Sequence, residues 1–214
     1  MNILAIDRST DVLSVALSMD GRVRDFSVDG ADARGADWPI RVHDFLAVHG
    51  LTFCDLGRIV VGMGPGSFAG IRGALSFAQG LAIGIKAKMP EAVSGPIVYG
   101  LPSAAALASD DRLVAVIGDA RRGLFWAVAY DGVKTVADFR LTGKEDLVAA
   151  VPDAAVVTTS DGARIGETLE SLFGERFAGS LPPSAKRLAV IAAAHPELSV
   201  PEPLPIYLSP AVRT

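Results

Sequence analysis

The chain opens on a compact apolar run, Ile3-Leu4-Ala5-Ile6, closed by Asp7. Arg8-Ser9-Thr10-Asp11 follow as turn formers, and a second apolar run extends from Val12 to Leu17. Asp20-Gly21 ends that run with a strong hairpin signal, and Val23 to Val28 supplies a third strand. The pattern predicts a three-stranded antiparallel meander whose first turn carries Asp7, Ser9 and Thr10. The same grammar returns later. Leu113 to Ile117 predicts a strand, Gly118 to Gly123 a turn, and Leu124 to Tyr130 a strand that ends at Asp131-Gly132. Asp7 and Asp119 stand 112 residues apart, and the two Asp-Gly pairs 111. Two features at nearly one offset imply a duplicated unit of roughly 100 residues.

Helical periodicity fills the intervals. Trp38, Val42, Phe45 and Leu46 share one face between Asp37 and His49, with Pro39 in the first turn and Gly50 as the stop. Ile59 to Val61 reads as a buried strand leading through Gly62–Gly66 into a long helix, Ser67 to about Lys88. The stretch Pro90 to Pro102, with a short strand at Ile97 to Tyr99, reads as the crossing between the halves. Ser103 to Ala108, Arg164 to Phe173 and Ala185 to His195 read as helices, Val156 to Thr159 as a strand, and the proline-rich tail from Pro196 as extended.

Composition narrows the class. Half of the 214 residues are apolar and 21% are charged, enough for a sizeable core and too apolar for disorder. The formal charge of −4 argues against gripping nucleic acid through a general basic surface. A single cysteine, Cys54, excludes an internal disulfide and fits a reducing cytoplasm. The expectation is a soluble cytoplasmic protein without signal peptide or membrane span.

Candidate chemistry is sparse. His43 and His49, six apart on one helix, point about 240° apart and cannot share an ion, and His195 is isolated, so no metal site is expected. A serine hydrolase lacks its G-x-S-x-G elbow. Gly62-Met63-Gly64-Pro65-Gly66-Ser67-Phe68-Ala69-Gly70-Ile71-Arg72 follows a strand and opens a helix, where free N–H groups receive anions. It has Ile71 where a Walker loop needs lysine. Its match to a dinucleotide fingerprint leaves only Glu91 as the acid that the fingerprint requires. Gly70, Gly73, Phe77, Gly80 and Gly84 repeat with 3-4-3-4 spacing. Each helical glycine costs roughly 1 kcal/mol against alanine. Close approach of a partner's helix would offset that cost; packing within the chain is the alternative.

Ile3-Leu4-Ala5-Ile6-Asp7 with Ser9-Thr10, the Gly64–Arg72 segment, Gln79-Gly80-Leu81-Ala82, Asp119-Ala120-Arg121 and Pro205-Ile206-Tyr207-Leu208 together resemble the TsaB (YeaZ-like) family. These are glycoprotease-like tRNA threonylcarbamoyladenosine biosynthesis subunits. The resemblance implies an α/β fold of two tandem ribonuclease-H-like halves, of the actin-like ATPase (sugar kinase/actin/Hsp70-like) superfamily. The expected division is 1–102, with the partner-binding helices, and 103–214, a degenerate half with an extended tail. It further implies a non-catalytic activating subunit that pairs with a TsaD-like catalytic subunit and a TsaE-like ATPase, forms a homodimer when alone, and meets tRNA only through the complex. No catalytic residue, metal or cofactor is expected. Asp7, Ser9, Thr10 and Asp119 would be a vestigial nucleotide or phosphate site. Gly64, Pro65, Gly66, Ser67, Phe68, Gly70, Arg72, Gly73, Phe77, Gly80 and Gly84 would form the partner interface. Ala69, Ala33 and Ser209 depart from the family pattern.

Two other classes compete. A small kinase or ATPase would use the Asp7 and Asp119 hairpins as phosphate clamps, but the second turn offers Arg121 and Arg122 in place of glycine and hydroxyl groups. A direct RNA-binding module is weakened by the negative charge and by the lack of an aromatic-basic stripe.

Overall fold

The computed structural model describes residues 1–88 and 96–208, apart from the Arg34 side chain. In chain order the strands are β1 (Asn2–Asp7), β2 (Val12–Met19), β3 (Arg22–Asp29), β4 (Leu56–Gly62), β5 (Ile97–Leu101), β6 (Leu113–Arg121), β7 (Leu124–Asp131), β8 (Lys134–Gly143), β9 (Val156–Thr159), β10 (Phe177–Ser180) and β11 (Val200–Pro201). The helices are α1 (Gly30–Arg34), α2 (Trp38–Val48), α3 (Phe68–Lys88), α4 (Gly162–Phe173) and α5 (Ala185–Ala194).

One sheet runs β11-β5-β4-β1-β2-β3 and the other β10-β9-β6-β7-β8. Without the short β11, the two orders are the same. Each sheet has an antiparallel meander, with two parallel strands added beside its first strand. This is the ribonuclease-H-like arrangement, present twice, as the repeat predicts. The Asp20-Gly21 hairpin carries positive φ at both positions, +48° and +75°, the geometry that matches strand twist in a two-residue loop.

The units are Met1–Ser103 with Ser184–Pro205, and Ala104–Pro183 with the described residues from Ile206 onward. The expected single cut near residue 102 therefore misses a return: α5 belongs with the first unit. There α2 and α3 cover one face of the sheet, burying Leu4, Ile6, Leu13, Val15, Ile59 and Val61. On the other side α5 packs on β1, β2, β3 and β4. Covering both faces explains why β1 reads as a continuous apolar run rather than an alternating one. The α5 contact is fastened at both ends. Ala185 N–H donates to Ser14 Oγ at 2.9 Å, and the Arg58 guanidinium donates to the Ala192 carbonyl at 2.9 Å. In the second unit, Ala115, Ile117, Phe125, Ala127 and Val157 of the sheet pack with Leu147, Val151 and the Ile165, Leu169 and Phe173 stripe of α4.

Several expectations change. Gly118 is a strand residue, not part of a turn, because a Cβ there would fall 2.2 Å from the Trp126 ring that covers it. β6 accordingly runs on through Asp119 to Arg121. β5 is an inner strand of the first sheet rather than part of a crossing, and Pro90–Gly95 of that stretch lie outside the described residues, as do Glu91 and Ser209. Ser103–Leu107 is a 3-10 turn. The tail forms a 3-10 turn at Pro196–Leu198 before β11. α3 has the length and mean hydropathy, 1.3, of a membrane-crossing segment, but its Ile71, Ala74, Leu75 and Ala78 lie in the core.

Candidate functional site

Asp7 ends β1 and is 1% exposed. Its Oδ1 accepts the Ser9 N–H at 2.8 Å and the Ser9 hydroxyl at 2.7 Å. Oδ2 forms no hydrogen bond of normal geometry. It points at Gly62, where a Cβ would fall 1.8 Å away, with Ser103 Oγ 2.6 Å from the same point. Burial pushes the Asp7 carboxyl above its ordinary range, opposed by the Ser103 hydroxyl and the two Ser9 bonds. Thr10 Oγ1 accepts the Val12 N–H at 3.2 Å.

The glycine-rich loop is built against this turn. Ser103 brackets Gly64, its hydroxyl accepting Gly64 N–H at 2.9 Å and its own N–H donating to the Gly64 carbonyl at 2.8 Å. Ser67 N–H donates to the Ser9 carbonyl at 2.6 Å. A Cβ on Gly66 would fall 2.0 Å from Ser9 O, and one on Gly70 2.0 Å from Arg8 O. These glycines are required because the loop and the Arg8-Ser9 backbone lie against each other.

That contact corrects the reading of the glycine seam. Gly70 packs on the Arg8 carbonyl, and a Cβ on Gly73 would lie 3.2 Å from the Arg8 guanidinium. Phe77 stacks edge-on against Trp38 at 4.7 Å and Phe53 at 6.2 Å. Gly64, Gly66, Gly70, Gly73 and Phe77 thus have intramolecular reasons, while Pro65 is buried. Gly80 and Gly84 are open, with nothing within 4 Å of a built Cβ. The outward face of α3 carries Phe68, 49% exposed with the Arg72 guanidinium 4.7 Å above its ring, and Ile83, 71% exposed. Ile40 and Val48 of α2 are also exposed.

Sequence reasoning missed Arg8. Its guanidinium stacks 4.7 Å from the Trp38 ring and donates to the Ala33 carbonyl at 2.6 Å. It borders a cleft of about 330 Å³ shared with Thr10, Asp11, Ala33, Ser67 and Gly70. Asp7 does not line that cleft. The Asp7 carboxylate is thus withheld from any phosphate in that cleft. Gly62 and Ser103, which close over Asp7, were also missed; nothing in their spacing marks them.

Asp119 belongs to the second unit. Its Oδ1 accepts the Arg121 N–H at 2.7 Å, and its Oδ2 meets Arg121 Nη1 at 3.3 Å and Arg164 Nε at 3.0 Å. Asp161 Oδ2 accepts the Asp119 N–H at 2.9 Å. A carboxylate engaged by two guanidiniums is a poor metal ligand. Among the described residues no group of three or more His, Cys, Asp or Glu is placed to hold a metal ion.

The doubled meander with its parallel additions defines an α/β protein of the actin-like ATPase fold. A structure of YeaZ from Pseudomonas aeruginosa superposes with a TM-score of 0.75 at 26% identity, covering 97% of this chain and 99% of that one. A second Pseudomonas aeruginosa structure, described as similar to the peptidase YeaZ, gives the same score at 25% identity. A family model for tRNA N6-adenosine threonylcarbamoyltransferase (TsaD) matches residues 39–152. The tRNA threonylcarbamoyladenosine biosynthesis protein TsaB of Escherichia coli K12 is 36% identical over 129 residues, 59% of this chain. An uncharacterized protein of Mycobacterium bovis is 38% identical over 96 residues, 42% of this chain. The aligned parts span 54% and 40% of those relatives. The chain belongs to the glycoprotease-like family that this model describes, and within it to the TsaB/YeaZ-like proteins.

Proposed function

We infer that the chain is a non-catalytic subunit of the cytoplasmic assembly that forms threonylcarbamoyladenosine in tRNA. It pairs with a TsaD-like catalytic subunit, is joined by a TsaE-like ATPase, and self-associates when alone. It reaches tRNA through the complex and needs no cofactor of its own. The observation that carries this reading is the state of the two carboxylates that an active relative of this fold would present. Asp7 is sealed behind Gly62 and Ser103, and Asp119 is held by Arg121 and Arg164. The rival reading, a small kinase or ATPase clamping phosphate with these residues, has neither free.

The outward face of α3 supports the pairing surface. Phe68, Arg72, Gly80, Ile83 and Gly84 remain there once the internally packed glycines are set aside. An apolar helix face with two glycines lets a second helix approach closely, and anchors near an interface centre carry most of its energy. Titration calorimetry of this chain with the TsaD-like protein of the same organism tests the reading. Binding is expected, with Ile83→Asp weakening it by at least tenfold at unchanged melting temperature. Equal affinity of the variant would remove α3 from the interface.

A further inference from the structure

Asp7 is a buried carboxyl that the pairing surface does not use, and it ends a short chain of contacts. Its Oδ2 and Ser103 Oγ lie 1.8 and 2.6 Å from the point where a Gly62 Cβ would stand, so both atoms crowd one spot at the end of β4. Ser103 in turn holds Gly64 by both of its backbone groups. Gly64 lies against α3, where a Cβ on it would fall 2.5 Å from Ile71 Cδ1. Ser103 is also the last residue of the first unit before the chain enters the second. Asp7, Ser103, Gly64 and Ile71 thus connect the end of β1, the exit of the chain and the first turn of α3.

The carboxyl has hydrogen-bond donors but no counter-charge. Oδ1 takes both Ser9 bonds, and Oδ2 has none of normal geometry. β1 is flanked by β2, which carries no charged residue, and by β4, whose Arg58 lies at the far end opposite Ile3 and bonds to Ala192. α5 brings Lys186, which pairs with Asp25, and Arg187. α3 brings Arg72, which lies over Phe68, and Lys86 and Lys88 in its last turn. Arg8, next in the chain, turns to Trp38 and Ala33. Among the described residues no cation acts on the Asp7 carboxyl. A buried carboxylate without a counter-charge favours its protonated form, and burial holds Asp7 above the ordinary aspartate range. Ionised, Asp7 gains from water at Oδ2, and Gly62 and Ser103 close that oxygen off.

We propose that Asp7, Ser103 and Gly64 form a proton-operated clasp on the glycine loop: with a proton on Asp7 the clasp is shut and the start of α3 is held for pairing, and loss of the proton admits water and releases Ser103 and Gly64. Shut, the Asp7 hydroxyl at Oδ2 donates to Ser103 Oγ, which keeps the Gly64 N–H. The two states differ by one proton, so each pH unit above the Asp7 midpoint favours the open one by at most about tenfold more. The shut state is complete below the ordinary aspartate range and is lost as pH rises through the raised value. The link to pairing rests on the function proposed above; the clasp itself concerns this chain alone.

The test uses the full chain across a pH series, with the Asp7 carboxyl carbon followed by NMR and the Gly64 amide by hydrogen exchange corrected for its intrinsic rate. The carboxyl is expected to titrate above the ordinary aspartate range, and Gly64 protection to fall by about tenfold across the same midpoint. Asp7→Asn keeps the shape without the titration, and its Gly64 protection should stay level within about twofold. Ser103→Ala takes away the Gly64 acceptor and a hydroxyl that favours the ionised carboxyl. It should leave Gly64 in fast exchange at every pH and move the Asp7 midpoint still higher, a reading that stands even if Asp7→Asn fails to fold. Titration in the ordinary range, a parent Gly64 profile that matches Asp7→Asn, or a Ser103→Ala protein with Gly64 as protected as in the parent would overturn the proposal. In calorimetry with the TsaD-like protein, Asp7→Asn is expected to bind about fivefold tighter than the parent above the midpoint and equally below it. Equal affinity on both sides would cut the clasp off from α3 and overturn the proposal as well. Failure of the parent to pair at any pH bears on the proposed function and leaves the NMR and exchange readings intact.

Discussion

Alanine at Gly70 and at Gly80 is the same chemical change in the same helix, and the structure gives it opposite signs. On propensity alone each substitution stabilises by up to about 1 kcal/mol. At Gly80 nothing lies within 4 Å of the new methyl group, so the full gain is expected. At Gly70 the methyl group would fall 2.0 Å from the Arg8 carbonyl oxygen and 3.1 Å from Ser67 Oγ. An ordinary carbon–oxygen contact needs more than 3 Å, so helix and turn must separate by about 1 Å, and the 2.6 Å Ser67–Ser9 backbone bond stretches with them. Overpacking of this kind costs about 1–3 kcal/mol, and a weakened buried backbone bond adds about 1 kcal/mol. Less the propensity gain, Gly70→Ala is destabilising by about 1–3 kcal/mol. One kcal/mol moves the midpoint of a chain this size by about 2–4 °C. Thermal unfolding by circular dichroism should show Gly80→Ala melting about 2–4 °C above the parent and Gly70→Ala several degrees below it. A Gly70→Ala protein that melts as high as Gly80→Ala would refute the claim that the loop packs on the Arg8-Ser9 turn.

Other outcomes follow from single contacts. Asp7→Asn should stabilise by about 1–2 kcal/mol, because it removes a buried charge with an unbonded oxygen. Burial raises the folded-state pKa of Asp7, so the folded form holds its proton longer and this group's contribution falls as pH rises from the ordinary aspartate range toward that raised value. The gain from Asp7→Asn should therefore be larger at neutral pH than near pH 3, as urea melts at the two pH values would reveal; an equal gain at both would contradict the burial argument. Ser14→Ala strands the Ala185 N–H and should cost about 1 kcal/mol in a urea melt. Arg8→Ala loses the Trp38 stack and the Ala33 bond together; about 1–3 kcal/mol is expected by calorimetry, and no change would show that the arginine is idle.

Much of the fold was legible because it is written locally. The Asp-Gly pairs, the compact runs of β1 and β6 and the Pro39-to-Gly50 helix each carry their own signal, and the offset between Asp7 and Asp119 exposed the duplication. The shape of the second sheet was harder to read, since β8 alternates weakly and Gly118 imitates a turn residue until Trp126 is seen lying over it. The return of α5 to the first unit was not legible. Ser14 and Ala185 are 171 residues apart, and no periodicity encodes that pairing. At the candidate site, the sequence singled out the loop that packs on the Arg8-Ser9 turn, but for an incomplete reason. A 3-4-3-4 glycine spacing looks the same whether the opposing backbone is a partner's helix or the chain's own turn. Only the Arg8 carbonyl against Gly70 separates the two, leaving Gly80 and Gly84 open.

The function proposed above is that this chain enables threonylcarbamoyl transfer without performing it. Its most direct test is the yield of modified adenosine, measured by mass spectrometry, from a reconstituted mixture of tRNA, the threonylcarbamoyl donor, and the TsaD-like and TsaE-like proteins. The account predicts little product without this chain, full product with it, full product with Asp7→Asn, and loss of product with Ile83→Asp. Product from this chain and tRNA alone, or a folded Asp7→Asn protein that pairs normally yet yields none, would contradict it.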